Sequence, residues 1–123
     1  MYRDDEYYTY EQLLKEICEE VYCYKAFGSY QGDWWAKVKY KGKICWIHGW
    51  FGSCSGCDWI LGEYCREYSR EEIKENFVCD YLEDGMFFTQ EEAEKEASRN
   101  IEWDMDAREM LDFIKKYKEV SNV

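Results

Sequence analysis

The sequence predicts an α+β fold, a single domain over residues 1–123 in which a small antiparallel β-hairpin or sheet is packed by four to five α-helices. Two β-rich runs flank Lys41-Gly42 and predict a hairpin, in which this dipeptide is the candidate two-residue turn. Three Ser/Thr-x-x-Glu/Gln spacings, beginning at Thr9, Ser69 and Thr89, are typical of helix N-termini. With 46% hydrophobic and 20% aromatic residues, the 123 residues are enough to build one compact core.

The first predicted helix covers residues 10–24. Its start is indicated by Thr9 and Gln12, which have the spacing of a capping box. Apolar residues then recur on one helical stripe as far as the end of this range. Cys18 and Cys23 lie on or beside the stripe, so we expect both thiols to pack in the core.

A β-hairpin is predicted next, with strands over residues 34–40 and 43–50. If Lys41-Gly42 is a two-residue turn, the register of the hairpin follows directly. It pairs Val38 with Cys45, Ala36 with Ile47 and Trp35 with His48. Cys45 and His48 then lie on opposite faces of the sheet, because successive strand residues alternate in direction.

The second half of the chain predicts further helices and one short strand. Helices are expected over residues 58–65, capped by Asp58, and over about 69–78. Residues 86–88 are a candidate third strand, and acidic residues 90–99 and residues 104–118 are the last two predicted helices. The residues expected to face the core on the last two helices are Ala93, Ala97, Ala107, Met110, Leu111, Ile114 and Tyr117.

The charge of the chain is strongly negative and unevenly divided. The 27 acidic and 16 basic residues give a formal net charge of -11. Residues 1–61 hold 9 acidic and 7 basic side chains, whereas residues 62–123 hold 18 acidic and 9 basic ones. Direct binding to nucleic acid or to anionic lipid is therefore not expected, since both need a basic surface.

The cysteines suggest a structural metal site. Cys54 and Cys57 form a C-x2-C motif with small residues between the thiols, and Cys65 and Cys79 complete the pattern C-x2-C-x7-C-x13-C. Four thiolates are a ligand set of structural zinc, so we expect a zinc ion that staples the domain. Buried or free thiols and a redox-active pair remain alternatives. A ligand set that includes Cys45 and His48 is disfavoured by the hairpin register.

An enzymatic function is not expected. The chain contains no glycine-rich phosphate loop, no HExxH motif and no GxSxG motif. His48 is the only histidine, and nothing in its spacing from Cys54 indicates a nucleophile and base pair.

The carboxylates of the second half are candidates for binding a partner protein. On successive helical turns they would imitate a phosphate backbone, and the alternative is that they only keep the protein soluble. Two hairpin tryptophans form a second candidate contact patch unless they pack beneath another element. The candidate partner-binding residues are Glu91, Glu92, Glu94, Glu96, Asp104, Asp106, Glu109, Trp35 and Trp46.

Three segments carry a resemblance to known proteins. Residues 29–38, 46–49 and 52–58 are similar to a "QGDW.AKV…GKI.WI.G..GSCSGCD" block of small phage- and prophage-encoded proteins, over about 30 residues. The chain departs from that block at Lys41, where Asn is common. Such proteins look like host-takeover factors, and the size and acidity of the chain are similar to those of type II-A anti-CRISPR proteins. For Cys54 and Cys57 the resemblance implies a shared structural role that is compatible with zinc.

These observations predict an anti-CRISPR-type inhibitor. It would bind an RNA-guided type II CRISPR nuclease, or another nucleic-acid-binding protein, through its acidic surface and block DNA loading or cleavage. The alternative is a zinc-stabilised phage or bacterial adaptor between proteins. No run of about 18 apolar residues and no signal peptide is visible, so we expect no membrane partner and a location in the bacterial cytoplasm.

Overall fold

We describe a computed structural model of the chain, which covers residues 9–54, 56, 58–83, 87–99, 101–102 and 105–119. The strands are β1 (Glu20–Gly28), β2 (Gly32–Tyr40), β3 (Lys43–Phe51) and β4 (Phe87–Phe88). The helices are α1 (Tyr10–Ile17), α2 (Trp59–Cys65), α3 (Arg70–Phe77), α4 (Gln90–Ser98) and α5 (Met105–Lys116), and a π-helical segment covers Val78–Glu83. The α+β class expected from the sequence is confirmed.

The strands form one antiparallel sheet in the order β1-β2-β3-β4, so every strand pairs with its neighbour in sequence. The predicted hairpin register is confirmed: Val38 pairs with Cys45, Ala36 with Ile47 and Trp35 with His48. Lys41 and Gly42 both have positive φ, at 50° and 80°. This is the backbone of the primed turn that two-residue hairpins favour, and it explains the glycine at the second position.

The prediction of a helix over residues 10–24 is wrong after Ile17. The helix ends there, and β1 begins at Glu20 as a strand paired with β2. Cys23 therefore lies on a strand, whereas Cys18 is the buried C-cap residue of α1. The β-branched and aromatic residues that follow Cys18 prefer a pleated, half-buried surface, and pairing with β2 satisfies their backbone groups.

The helix starts were predicted more accurately. Thr9, Ser69 and Thr89 each form a complete capping box, and Asp58 caps α2. The short strand expected within residues 86–88 is β4, which pairs with β3 over two residues. The π-helical segment was not predicted. Among the described residues, no helix is long and apolar enough to cross a bilayer.

One face of the sheet carries an aromatic core, covered by α1, α2, α3 and the π-helical segment. Trp34 lies at its centre, with the rings of Tyr10, Tyr24, Phe77 and Tyr81 at centroid distances between 5.3 and 6.3 Å. Its buried members are Tyr10, Leu13, Leu14, Cys18, Trp34, Ala36, Val38, Ile47, Ile60, Ile73, Phe77, Tyr81 and Leu82.

The opposite face carries a second core, formed where α4 and α5 pack on each other and on the sheet. Its buried members are Phe27, Trp35, Trp46, Ala93, Ala97, Ala107, Met110 and Ile114. Trp35 and Trp46 are only 0% and 1% exposed. They pack beneath other elements, which was the alternative expectation, so the prediction that they form a contact patch for a partner is corrected.

Candidate functional site

The predicted zinc ligands lie on three different elements. Cys54 is in the loop after β3, Cys65 is the last residue of α2, and Cys79 is in the π-helical segment; all three thiols are exposed. Cys57 lies outside the described residues. Within the described part of the chain, no three or more His, Cys, Asp or Glu side chains form a group that could hold a metal. The zinc site stays a prediction, which metal analysis of the purified protein would test.

The remaining described cysteines lie within or beside the packed cores. Burial, with smaller contributions from nearby Cys45 and Glu19, raises the pKa of the Cys18 thiol to about 12. Burial also raises the pKa of Cys23 to about 11, against the opposing effect of Lys37. Both thiols are therefore protonated at neutral pH, and a protonated thiol is a poor nucleophile and metal ligand.

His48 has structural partners. Its Nε2 lies 2.9 Å from Asp33 Oδ1, and its ring stacks on Trp35 with centroids 4.5 Å apart. These residues line a small cavity of about 70 Å³ together with Glu96 and Met110. The described residues that line this cavity include no serine, threonine or cysteine.

The acidic residues predicted to bind a partner are concentrated on α4. This helix carries four glutamates and one lysine, and Ala93 and Ala97 face the core. Glu91 and Glu92 are exposed; Glu94 and Glu96 are half-buried. Glu94 accepts a hydrogen bond from Gln90 at 2.8 Å, and Glu96 pairs with Arg99 at 3.1 Å.

The acidic residues of α5 that were predicted to bind a partner lie on a helix that also carries basic residues. Its acidic residues Asp106, Glu109 and Asp112 are balanced by Arg108, Lys115 and Lys116. Asp106 is half-buried and Glu109 is exposed, whereas Asp104 lies outside the described residues. The residues of α5 therefore carry no net charge, whereas α4 carries four glutamates against one lysine.

A second candidate site was not predicted. A cavity of about 200 Å³ opens beside the loop that follows β3, and we call it the tryptophan–carboxylate pocket. Among the described residues three charged side chains are buried, Lys37, Asp58 and Glu63, and two of these line this pocket. Its lining residues are Trp50, Gly56, Asp58, Trp59, Gly62, Glu63, Arg66 and Tyr81.

The carboxylate of Asp58 has a structural role. Oδ1 accepts a hydrogen bond from the Gly52 N–H at 2.9 Å, and Oδ2 accepts one from the Leu61 N–H at 3.1 Å. The hydroxyl of Tyr10 also bonds to Asp58, and burial is the main reason why the pKa of Tyr10 is raised. Asp58 thus joins α1, α2 and the preceding loop, and its charge is stabilised by these donors.

Glu63 is less completely paired than Asp58. Its side chain is 5% exposed, and Oε1 accepts a hydrogen bond from Asn76 Nδ2 at 2.7 Å. Oε2 lies 3.6 Å from the guanidinium of Arg66, whose side chain is 70% exposed. That distance exceeds a hydrogen bond, so among the described residues Oε2 has only a loose ionic partner.

Aromatic rings form the walls of the pocket. Trp59 contacts Tyr81 edge to face at 5.7 Å, and its indole N–H donates to Asp80 at 2.7 Å. Trp50 is 51% exposed. Rings of this kind beside carboxylates attract cations and planar cationic groups, so the pocket is suited to a positively charged guest.

A larger cleft of about 410 Å³ lies where β3 extends beyond β4, but its chemistry is less specific. Its charged lining residues, Lys41, Lys43, Glu83 and Glu92, are of both signs, and none of them is buried. We therefore consider the tryptophan–carboxylate pocket the stronger candidate.

Sequence reasoning identified Asp58 as a helix cap but missed Glu63. The one local signal is the i, i+3 spacing of Glu63 and Arg66, which is common on exposed helices. No protein family, curated protein or solved structure matches the chain. The resemblance to phage-encoded proteins accordingly stays a prediction.

Proposed function

We propose that the protein is a non-catalytic inhibitor that docks on a basic, nucleic-acid-binding surface of another protein. The specific target that we propose is an RNA-guided type II CRISPR nuclease, whose DNA loading or cleavage would be blocked. The observation that supports this proposal most directly is the charge of α4, with four glutamates against one lysine on a helix docked through two alanines. Two of its carboxylates, Glu91 and Glu92, belong to exposed residues.

The spacing of these carboxylates suits the proposed role. Side chains on successive turns of α4 recur about every 5.4 Å along the helix axis. A surface that normally grips phosphates would meet a comparable row of negative charges. The net charge of -11 would also steer the protein toward a basic cleft and raise the association rate, an effect that added salt suppresses.

One observation disfavours nucleophilic catalysis by the two thiols that pack in or beside the cores. The Cys18 and Cys23 thiols have raised pKa values, which disfavour the reactive thiolate.

The experiment is target-DNA cleavage by a guide-loaded type II-A nuclease, with and without equimolar protein. We expect inhibition when the protein is added before the DNA and none when it is added afterwards, because the two compete for one surface. The inhibition should weaken steeply between about 50 and 200 mM salt.

A charge-reversal pair makes this test specific to α4. The variant E91K/E92K should lose inhibition, since both residues are exposed on that helix. The matched control E71K/E72K reverses two exposed glutamates at the start of α3, where Glu72 likewise completes a capping box, and should retain it. Absence of inhibition in both orders of addition would instead favour the adaptor function, whose apolar contacts depend little on salt.

A further inference from the structure

We propose that the tryptophan–carboxylate pocket receives an arginine side chain of the partner protein. This inference rests on the proposed function to the extent that the partner presents a basic surface. It identifies an arginine side chain as the part of that surface that the pocket binds, and it can be tested with the isolated protein.

The first argument is the incomplete pairing of Glu63. A carboxylate that is 5% exposed loses most of its hydration, and that loss is compensated only by close hydrogen bonds. Oε1 has such a bond from Asn76, whereas the one partner of Oε2 in the described part of the chain is Arg66 at 3.6 Å. A guest cation inside the pocket would complete the pairing of Oε2.

The second argument concerns Arg66, which is an internal competitor that is easily displaced. Its side chain is 70% exposed, and a single ion pair at 3.6 Å between an exposed and a buried partner is weak. A guest guanidinium can take its place at Glu63 while Arg66 turns into solvent.

The third argument selects arginine over lysine. A guanidinium is planar, so it can stack against an indole ring while its N–H groups donate to a carboxylate. The pocket places indole rings at Trp50 and Trp59 beside the carboxylate of Glu63. A lysine ammonium is more strongly hydrated and lacks the flat face, so its binding should be weaker.

The experiment titrates N-acetyl-L-arginine amide into the ¹⁵N-labelled full chain and follows the indole N–H signals of Trp50 and Trp59. N-acetyl-L-citrulline amide is the neutral control, because it has nearly the same shape without the charge. We expect saturable shifts with the arginine compound and at least about tenfold weaker binding of the citrulline compound, the scale of one charge-assisted hydrogen bond. Equal binding of the two compounds would overturn the proposal.

Two substitutions should act in opposite directions. Glu63→Gln keeps the acceptor for Asn76 but removes the charge, and it should weaken arginine binding about tenfold or more. Arg66→Ala removes the competitor and should tighten binding about two- to fivefold. Glu67→Gln changes an exposed carboxylate in the following turn and serves as the control. Unchanged affinity in Glu63→Gln would contradict the proposal even if arginine binds elsewhere.

The outcome separates this inference from the proposed function. If the isolated protein does not bind the arginine compound but inhibits the nuclease, the proposed arginine site is wrong and the proposed inhibitory function is supported. If the arginine compound binds and the nuclease is not inhibited, the arginine site is supported and the nuclease is not its target. In the nuclease assay Trp50→Ala should weaken inhibition, whereas Tyr30→Ala, which removes an aromatic ring that is 82% exposed, should not.

Discussion

Each face of the sheet buries a tryptophan of β2, but the residues that pack around the two tryptophans differ. Trp34 and Trp35 are neighbours on β2 and point to opposite faces, and both are 0% exposed. Around Trp34 the partners are large rings on short helices. The core around Trp35 combines large side chains with three alanines, Ala93, Ala97 and Ala107, which lie on α4 and α5.

The indole N–H groups of the tryptophans on the two faces also differ in their hydrogen bonding. Trp35 Nε1 donates to Met110 Sδ at 3.2 Å, and Trp46 Nε1 donates to Gln90 Oε1 at 2.8 Å. The Trp34 Nε1 atom is buried and has no hydrogen-bond partner among the residues that the structure describes. A core of rings fills space well but offers few acceptors, whereas helices that approach closely can bring a thioether or an amide to an indole N–H.

The largest expected effect comes from removing the ring at the centre of the aromatic core. Trp34→Ala should lower the free energy of unfolding by about 3–5 kcal/mol, because the cavity is enclosed by rings that cannot collapse fully. Urea denaturation measures this change. Trp50→Ala is the control, since that ring is half-exposed and its removal should cost less than about 1 kcal/mol.

A smaller effect is expected on the other face, from the buried ammonium of Lys37. Its Nζ donates to the carbonyl oxygens of Tyr117 at 3.0 Å and Lys118 at 2.9 Å, just after α5, and burial lowers the pKa of Lys37. Lys37→Met removes the charge that stabilises this helix end and should cost about 1–2 kcal/mol in thermal or urea unfolding.

Lys39→Met serves as the control for Lys37→Met, because Lys39 is on the same strand, is partly exposed and lies 4.0 Å from Glu19. It should change stability by less than about 0.5 kcal/mol. Equal losses in the two variants would show that contact with α5 contributes nothing.

Alkaline pH should act through the aromatic core. Burial, together with the nearby charges of Asp58 and Asp80, raises the pKa of Tyr81. Because the folded-state pKa lies above the unfolded value, the stability is fully present below about pH 10 and falls as the pH rises further, by up to about 1.4 kcal/mol per pH unit for one group. Tyr81→Phe should flatten the fall in unfolding free energy measured between pH 10 and the folded-state pKa.

Tyr30→Phe, on an exposed ring, should leave that pH dependence unchanged. The buried thiols contribute with the same sign. The pKa of Cys18 is about 12 in the folded protein, so its contribution is lost from about pH 9 upward.

The smallest effect is expected at the contact between Trp35 and Met110. Met110→Leu nearly conserves volume but leaves the indole N–H without its sulfur acceptor. We expect a loss below about 1.5 kcal/mol in thermal unfolding. Leu111→Met makes the reverse exchange at the next, half-buried residue, and a loss as large as that of Met110→Leu would argue against a role for the hydrogen bond.

Local signals explain why much of the fold could be predicted. The hairpin register depends on a two-residue turn, and the three capping boxes depend on residues three apart, so both are decided within a few residues. β1 was missed for a related reason. A register shift between Val21 and Cys23 interrupts the alternation of side chains that would otherwise indicate a strand. The remaining apolar spacing imitates a helix.

The candidate pocket could not be predicted because it depends on contacts between elements. Glu63 is buried by the packing of α2 against its surroundings, and its hydrogen-bond donor Asn76 comes from α3. The net charge of α5 can be counted from its sequence. The exposure of each carboxylate on α4, in contrast, depends on how the helix packs through Ala93 and Ala97. Burial of Trp35 and Trp46 likewise required α4 and α5 to be placed on the sheet.

The strand order also has a consequence for how the chain folds during synthesis. β1, β2 and β3 pair with their neighbours in sequence, so they close short loops and can form early. Lys37, in contrast, meets carbonyl groups 80 and 81 residues later. Until α4 and α5 leave the ribosome, the sheet presents Trp35 and Trp46 to solvent, and we expect the nascent protein to aggregate or recruit chaperones during that interval.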